Sequence, residues 1–278
     1  TFHCDFMFTG KCGVADGCTR YLIGCGHCPR LREYPAALLL DHTHAMWQEK
    51  KQLFEGMRRL RITTPSGWLK ERVGKTFLAS VPCDVVPNGV DSAVFRPTDA
   101  GALRRELGIP EAQRVVLAVG SGLMSDNKGG RHVLTLAQRM PETRFLLVDS
   151  QTITLPLPPN CTALSPNQSR SSLAVLYALA DAFLLCSRSE TFSMTCAEAL
   201  CCGTPVCGFM AGAPETVFDP PYARFVSYGD LDALEALLRQ TLDTPKDSAA
   251  ISAYAHARFS EQAMIDAMLG EYQAALNM

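Results

Sequence analysis

From Arg114 onward, short apolar runs alternate with segments in which apolar residues recur at helical spacing. The predicted strands are Arg114–Gly120, Arg144–Val148, Thr162–Leu164, Ala182–Cys186 and Pro205–Gly208. After the loop Ser121–Gly130, a helix is predicted as far as about Met140. The other predicted helices are Ser171–Ala180, Met194–Cys202, Leu231–Thr241, Ser248–Arg258 and Ser260–Ala275. Because strand and helix alternate, the pattern predicts an α/β fold with a parallel sheet.

The first part of the chain has fewer regular elements. They are a helix over His44–Leu60, a strand over Arg61–Thr64, a helix over Ser66–Gly74 capped by Ser66, and a strand over Cys83–Pro87. The turn signal Asn88-Gly89 follows directly. The sequence therefore predicts a domain boundary near residues 88–97.

Two carboxylates lie in the segment Ser187–Gly208. Glu190 is in the loop after the apolar run Ala182–Cys186, and Glu198 is on the following helix. In a βαβ unit this loop lies at the carboxyl end of the sheet, beside the positive end of the helix, where an anionic ligand is favoured. A carboxylate also suits the vicinal hydroxyls of a ribose or a hexose, because it accepts two hydrogen bonds side by side. The alternative is that both glutamates are solvated surface charges.

A second loop, Ser121–Gly130, is rich in glycine between a strand and a helix. Such a loop brings backbone N–H groups against phosphate, and Lys128 would add a positive charge there. It has neither the Walker A spacing nor G-x-G-x-x-G, so on its own it is a weak signal.

Four patterns occur in a particular order along the chain. They are P-N-G-V-D-x3-F-x-P from Pro87, Lys128-Gly129, E-x7-E from Glu190 to Glu198, and C-G-x-P-V from Cys202. Together they resemble the retaining glycosyltransferases of family 4, which have the GT-B fold. The resemblance implies two Rossmann-like domains with parallel sheets.

The implied domains are an acceptor-side domain over residues 1–90, a nucleotide-sugar domain over 91–262, and a helix over 263–278 that packs back toward the first domain. Residues Thr1–His3 look like the tail of a strand. The first domain is therefore expected to be incomplete, with its early strands preceding Thr1.

The resemblance also implies roles for individual residues. Glu190 contacts the transferred sugar, Glu198 contacts the ribose, and Lys128 contacts the donor diphosphate. The implied donor-binding set is Ser121, Gly122, Lys128, Phe192, Ser193 and Glu198, with the backbone N–H groups of Phe192 and Ser193 acting on the phosphates. Ser121 and Asn127 stand where the family usually has an arginine, a contact that Arg131 could replace.

One further position follows from the same resemblance. His3, in the order His3-Cys4-Asp5 where the family has histidine, aspartate and cysteine, takes a catalytic place near the reacting sugar; the alternative is an ordinary loop histidine. Ser165-Pro166 ends a predicted strand where a nucleotide base would rest. No divalent metal is implied for catalysis, because the lysine and the helix dipole take its place.

Four cysteines near the start, Cys12, Cys18, Cys25 and Cys28, have the spacing C-x5-C-x6-C-x2-C. Four thiolates with one C-x2-C pair next to glycines are compatible with a structural zinc site. Since zinc fingers usually have two such short pairs, unpaired or disulfide-linked cysteines are the alternative.

Composition excludes some classes of function. The formal net charge of −2 argues against a general nucleic-acid binder, and no apolar stretch is long enough to read as a membrane span. Most of the 12 cysteines lie in apolar patterns, which favours a reducing, cytoplasmic location. The basic helix around Lys50 and Arg58 is either a solvated face or a peripheral contact with an anionic membrane surface at its inner face.

The sequence thus predicts a retaining glycosyltransferase of polysaccharide biosynthesis. It would move a hexose-type sugar from a nucleotide-diphosphate sugar to a glycan or lipid-linked acceptor. Two alternatives remain: a nucleotide-sugar epimerase on the same fold, and a non-catalytic, zinc-stabilised binding protein.

Overall fold

The structure is a computed structural model that describes residues 1–33, 35–37, 39–164 and 168–277. It divides into two compact units, one formed by Thr1–Pro87 with the C-terminal residues from Ile265, the other by Asn88–Met264. The predicted base position at Ser165-Pro166 lies outside the described residues.

The first unit is built around a two-stranded parallel sheet. Its elements are α1 (Thr43–Glu55), β1 (Ile62–Thr64), α2 (Gly67–Val73) and β2 (Cys83–Val85). Ile62 pairs with Cys83 in the register of the two strands. Ser66 caps α2 as predicted, since its side chain accepts a hydrogen bond from the N–H of Leu69 at 3.2 Å.

A buried ion pair holds the N-terminal loop of this unit against α2. Asp5 is fully buried, and Arg72 donates to its two carboxylate oxygens at 3.0 and 2.6 Å. The same carboxylate accepts the backbone N–H of Ala15 at 2.8 Å. A buried charge paired in this way is costly to expose on one side only, so it fixes the loop on the helix.

The second unit contains a six-stranded parallel sheet. The chain continues with α3 (Gly101–Glu106), β3 (Val115–Gly120), α4 (Gly130–Arg139), β4 (Arg144–Asp149), β5 (Cys161–Leu164), α5 (Arg170–Leu179), β6 (Ala182–Leu185), α6 (Met194–Cys201), β7 (Val206–Phe209), α7 (Pro214–Val217), β8 (Ala223–Val226), α8 (Leu231–Asp243), α9 (Ser248–Phe259) and α10 (Glu261–Leu276). The strand order is β5-β4-β3-β6-β7-β8, and every pairing is parallel. The predicted α/β fold with parallel sheets is confirmed.

The order of the sheet places its switch point between β3 and β6. Chain connections leave β3 toward β4 on one side and β6 toward β7 on the other. In such sheets the ligand crevice lies outside the carboxyl ends of the strands at this point. The loops after β3 and β6 therefore border the expected ligand crevice.

Five cysteines are buried in this unit: Cys186, Cys196, Cys201, Cys202 and Cys207. Burial raises the pKa of each thiol, to about 12 for Cys201 and about 11 for Cys207. They pack as small apolar side chains, in agreement with the sequence prediction.

Candidate functional site

Three loops meet at the carboxyl edge of the sheet in the second unit. The N–H of Arg188, after β6, donates to the carbonyl oxygen of Asn127, after β3, at 2.7 Å. Glu190 is tied to the loop after β7, because its N–H donates to the carbonyl of Ala211 at 2.8 Å and its carbonyl accepts the N–H of Ala213 at 3.2 Å. Backbone hydrogen bonds thus fix Glu190 beside the glycine-rich loop.

An ion pair connects the two predicted loops through their charged side chains. The Nζ of Lys128 lies 2.6 Å from Oε1 of Glu190, and both side chains are largely shielded from solvent, with 28% and 14% exposed. The structure therefore brings Lys128, the predicted diphosphate-binding residue, into direct contact with Glu190, the predicted sugar-binding residue.

A buried aspartate organises the glycine-rich loop. Asp149 ends β4, and the sheet register puts it beside Gly120 at the end of β3. Its carboxylate accepts the N–H groups of Gly122 and Leu123, both at 2.7 Å. The N–H of Gly122 is consequently occupied within the protein and is not available to donate to a ligand.

Sequence reasoning missed Asp149. The available signal was an aspartate at the carboxyl end of an apolar strand that neighbours a glycine-rich loop. That signal depends on strand order, which becomes visible only in the folded sheet. Ser121, also a predicted site residue, lies at the same edge, with its hydroxyl 2.9 Å from that of Ser150.

Close packing explains the glycine before α4. Gly129 has φ +69°, and a Cβ built there would lie 2.2 Å from the carbonyl oxygen of Cys186. No other residue fits this approach without displacing the backbone. Gly129 thus allows Lys128 to lie directly against the end of β6.

The N-terminus of α6 supplies backbone donors next to Glu190. Ser193 precedes the helix with φ +78° and makes no side-chain cap. Its hydroxyl instead lies 3.2 Å from Sγ of Cys196. The first N–H groups of a helix have no partner within it and carry its positive dipole end, so this end suits a phosphate.

The predicted residue Phe192 contributes differently from its neighbours. Its ring is 2% exposed and packs against Phe218 and Phe259, with centroids 5.6 and 5.9 Å away. The side chain therefore belongs to the core and anchors the start of α6, which leaves only the backbone of Phe192 for a ligand.

Glu198 lies further along α6 and is mostly withdrawn from water. Its Oε2 accepts a hydrogen bond from the hydroxyl of Tyr177 at 2.9 Å. Burial raises the pKa of the Glu198 carboxyl above its ordinary value of 4.5, while the Tyr177 hydrogen bond and the charge of Arg170 act to lower it. Sequence reasoning did not identify Tyr177.

The matched family covers this whole site. Residues 99–258 match the family model described as "Glycosyl transferases group 1", which is more than half of the chain. The chain belongs to this family. Lys128, Glu190 and Glu198 all fall within the group 1 span, whereas His3 and the four N-terminal cysteines fall outside it.

Several known proteins are similar to this chain in sequence. D-inositol 3-phosphate glycosyltransferase of Mycobacterium avium is 34% identical over 211 residues, which cover 69% of this chain and 49% of that protein. The chain thus spans about half the length of the curated relatives it matches.

Among solved structures, sucrose-phosphate synthase from Thermosynechococcus elongatus aligns with a TM-score of 0.71 at 22% identity, over 90% of this chain and 67% of that one. HepE of Anabaena, determined in complex with UDP and glucose, aligns with a TM-score of 0.66 at 19% identity, over 82% and 67%. These likenesses confirm the GT-B type of fold.

Outside the group 1 span, the cysteine-rich segment of the first unit surrounds a small cavity. Cys12, Cys18, Cys25 and Cys28 all line this cavity of about 20 Å³. The N–H of Gly10 donates to Sγ of Cys25 at 3.2 Å. Within the described ranges, however, no three His, Cys, Asp or Glu side chains are grouped so that they could hold a metal ion. The positions of the cysteine side chains thus give the zinc site no support, and it stays a prediction. The catalytic place of His3, in the same unit, also stays a prediction.

The described part of the chain has no helix that is both long and apolar enough to cross a membrane.

Proposed function

We propose that this chain belongs to a retaining glycosyltransferase that transfers a sugar from a nucleotide-diphosphate sugar to an acceptor hydroxyl. The observation that carries the proposal is the Lys128–Glu190 pair at the switch point of the sheet, next to the start of α6. Group 1 family membership and the named activities of the relatives support it. The finer assignment to family 4, with its E-x7-E motif, is part of the proposal.

Charge develops on the diphosphate as it leaves the sugar. In the proposed mechanism Lys128 and the first N–H groups of α6, near Phe192 and Ser193, stabilise that charge. They are fixed in advance by the loop contacts described above, so little reorganisation is needed during the reaction. Lysine and helix N-terminus take the place of a divalent metal in this scheme.

The two glutamates have separate proposed tasks. Glu190, which the structure pairs with Lys128, contacts the transferred sugar while the lysine binds the diphosphate. Glu198 accepts hydrogen bonds from the ribose of the donor. His3 keeps its proposed catalytic place near the reacting sugar.

The acceptor is proposed to be a glycan or a lipid-linked sugar of polysaccharide biosynthesis. A relative named for D-inositol 3-phosphate makes a phosphorylated polyol a further acceptor to include in assays. Exposed basic residues at the end of the α1 region, Arg58 and Arg59, would favour an anionic acceptor or a peripheral membrane contact.

The test is transfer by variants of Lys128. The assay measures nucleotide diphosphate release from a panel of UDP- and GDP-sugars with and without acceptors. Lys128→Met should lower kcat/KM on the order of a hundredfold or more, because it removes a donor aimed at the leaving group. Arg105→Met, which removes an exposed charge on α3, is the control and should remain near wild type. Wild-type transfer by Lys128→Met would contradict the proposal.

A further inference from the structure

The hydroxyl of Tyr177 is buried beside the proposed donor site and has no role in the mechanism above. Tyr177 lies on α5 and is fully buried. Its ring contacts those of Phe95 and Phe183, at centroid distances of 6.2 and 5.7 Å. Since a phenylalanine would fill the same apolar space, the hydroxyl itself calls for an explanation.

Among the residues that the structure describes, that hydroxyl has one hydrogen-bond partner, and the partner is charged. It donates to Oε2 of Glu198 at 2.9 Å. Among the described residues, Tyr177 is also the one hydrogen-bond partner of the Glu198 carboxylate. A carboxylate taken out of water needs hydrogen bonds to its oxygens, and here the core supplies such a bond to Oε2.

The backbone of Tyr177 is also bound to the turn that follows α6. The buried hydroxyl of Thr204 in that turn donates to the carbonyl oxygen of Tyr177 at 2.6 Å. Tyr177 is thus connected to α6 through Glu198 and to the turn after α6 through Thr204. This arrangement restricts the position of the phenol relative to the carboxylate.

Other charged groups near Glu198 are already engaged. Arg170, whose charge acts on Glu198, pairs with Asp91 at 3.4 Å and lies over the ring of Phe95 at 5.6 Å. Other titratable groups of the described residues around α5 and α6 also have partners or are neutral. The thiols of Cys196 and Cys201 on α6, and of Cys202 directly after it, are kept protonated by burial. Lys246 donates to the carbonyl oxygens of Ala178 and Ala180, and Lys128 pairs with Glu190. On α9, Tyr254 and Arg258 are bound to Asp219, and His256 is bound to the Phe95 carbonyl. Tyr177 is the group that contacts the carboxylate directly.

We propose that Tyr177 is a positioning residue of the donor site. Its hydroxyl holds one oxygen of Glu198, so that the other oxygen is presented to the hydroxyls of the bound nucleotide. The inference rests on the proposed function, in which Glu198 accepts hydrogen bonds from the ribose. It adds a residue on α5 that acts on the donor only through Glu198.

The sign of the pH effect follows from the carboxylate. Ionised Glu198 accepts stronger hydrogen bonds from the ribose hydroxyls than the neutral acid does, because its charge assists them. Donor affinity is therefore full above the pKa of Glu198 and falls as the pH drops through it. Burial already places that pKa above 4.5, and the Tyr177 hydrogen bond acts to lower it. Loss of the hydroxyl should therefore raise this pKa and move the fall in donor affinity to higher pH.

The experiment compares Tyr177→Phe with wild type. With the donor that wild type uses best among UDP-glucose, GDP-mannose and related sugars, the variant should raise the donor KM on the order of tenfold at neutral pH, the cost of a lost hydrogen bond to a charged group. Because ribose does not react, kcat should change little. The KM-against-pH curve should shift to higher pH.

Two further variants separate positioning from structure. In the Glu198→Gln background, Tyr177→Phe should add no pH-dependent effect, because the titrating group is gone. Tyr254→Phe, which removes another partly buried phenol–carboxylate contact, to Asp219, should leave the KM-against-pH curve unchanged. A shift that persists without Glu198, or wild-type KM in Tyr177→Phe, would overturn the inference.

A measurement without substrate keeps this test independent of the proposed function. Carbon-13 NMR titration of the Glu198 carboxyl in the ligand-free chain should give a higher pKa in Tyr177→Phe than in wild type. An unchanged pKa overturns the Tyr177 inference even if transfer is observed. Failure of wild type to bind any of the nucleotide sugars tested instead overturns the proposed function.

Discussion

Lys128 contacts the carboxylate of Glu190 in the candidate site. A diphosphate that binds Lys128 must therefore compete with this carboxylate for the same ammonium group. Its binding would exchange one ion pair for another. Glu190 should therefore weaken the binding of a free nucleotide diphosphate, although its proposed contact with the sugar favours the binding of the whole donor.

Glu190→Gln should therefore bind free UDP or GDP more tightly than wild type. Removing the competing charge of a partly buried pair is worth about 1 kcal/mol, or roughly a fivefold gain in affinity. Isothermal calorimetry measures it. Asp126→Asn, an exposed neutralisation in the same loop, controls for general charge and should give a smaller change. Weaker diphosphate binding by Glu190→Gln would show that the pair does not compete.

The two glutamates should also separate kinetically. Glu198→Gln should mainly raise the donor KM, since its proposed contact is with the ribose. Glu190→Gln should lower kcat, by about one to three orders of magnitude, because the reacting sugar loses orientation and a nearby negative charge. Steady-state rates over a range of donor concentrations up to saturation give kcat and KM for both variants. The reverse result, with kcat lost only in Glu198→Gln, would exchange the two assignments.

At the scale of elements, the strands flanking the site were readable from the sequence. β3, β4 and β6 are apolar runs buried on both faces, so hydrophobic pattern alone located them. Edge strand β8 was missed, because Ala223–Val226 is short and contains Arg224, and so was the short helix α3. Asp149 and Tyr177 were missed for another reason. Their roles come from neighbours that are 21 or more positions away in the chain and meet only after folding.

Close packing between the end of β6 and the start of α4 requires glycine at position 129. Gly129→Ala combines a left-handed φ with a backbone contact of 2.2 Å, so it should destabilise the chain by about 3 kcal/mol or more. Gly270→Ala is the control, because the new Cβ meets nothing within 4 Å inside helix α10, and should be neutral or slightly stabilising. Denaturant unfolding compares the two. Equal stability of both variants would show that the loop rearranges freely.

The cysteine-rich segment carries a separate prediction about metal. If Cys12, Cys18, Cys25 and Cys28 bind zinc, the purified chain should contain stoichiometric zinc, and cobalt substitution should give the absorption of a tetrahedral thiolate site. Burial raises the pKa of Cys12 and Cys25, so binding should release protons and weaken as the pH falls. Cys25→Ser should lose the metal, and Cys83→Ser, in the same unit but away from the cavity, should keep it. Metal-free protein with reduced thiols would contradict the zinc site.

For the whole molecule, the group 1 span falls entirely within the second unit, Asn88–Met264. The predicted donor contacts other than His3 therefore belong to a single compact unit. The first unit carries the cysteine-rich segment and the buried Asp5–Arg72 pair. The proposed donor contacts and the cysteine-rich segment thus lie in different compact units of the chain.

Hydrogen exchange should reveal this division. Adding saturating UDP or GDP should slow amide exchange in residues 121–130, in 187–193 and in the first turn of α6, because these backbone groups surround the proposed phosphate site. Mass spectrometry of peptides from both units gives the comparison, with adenosine as a ligand that lacks phosphate. Protection spread evenly over the chain would argue against a localised donor site.

The five buried cysteines of the second unit also make the folded protein a reporter of its own opening. An alkylating reagent needs a thiolate that it can reach, and these thiols are both shielded and held protonated by their surroundings. Each becomes reactive only when the sheet or α6 separates from its neighbours. A short pulse of iodoacetamide, followed by peptide mapping, would therefore measure the opening of β6, α6 and β7 separately. No cysteine or other probe has to be introduced into the chain.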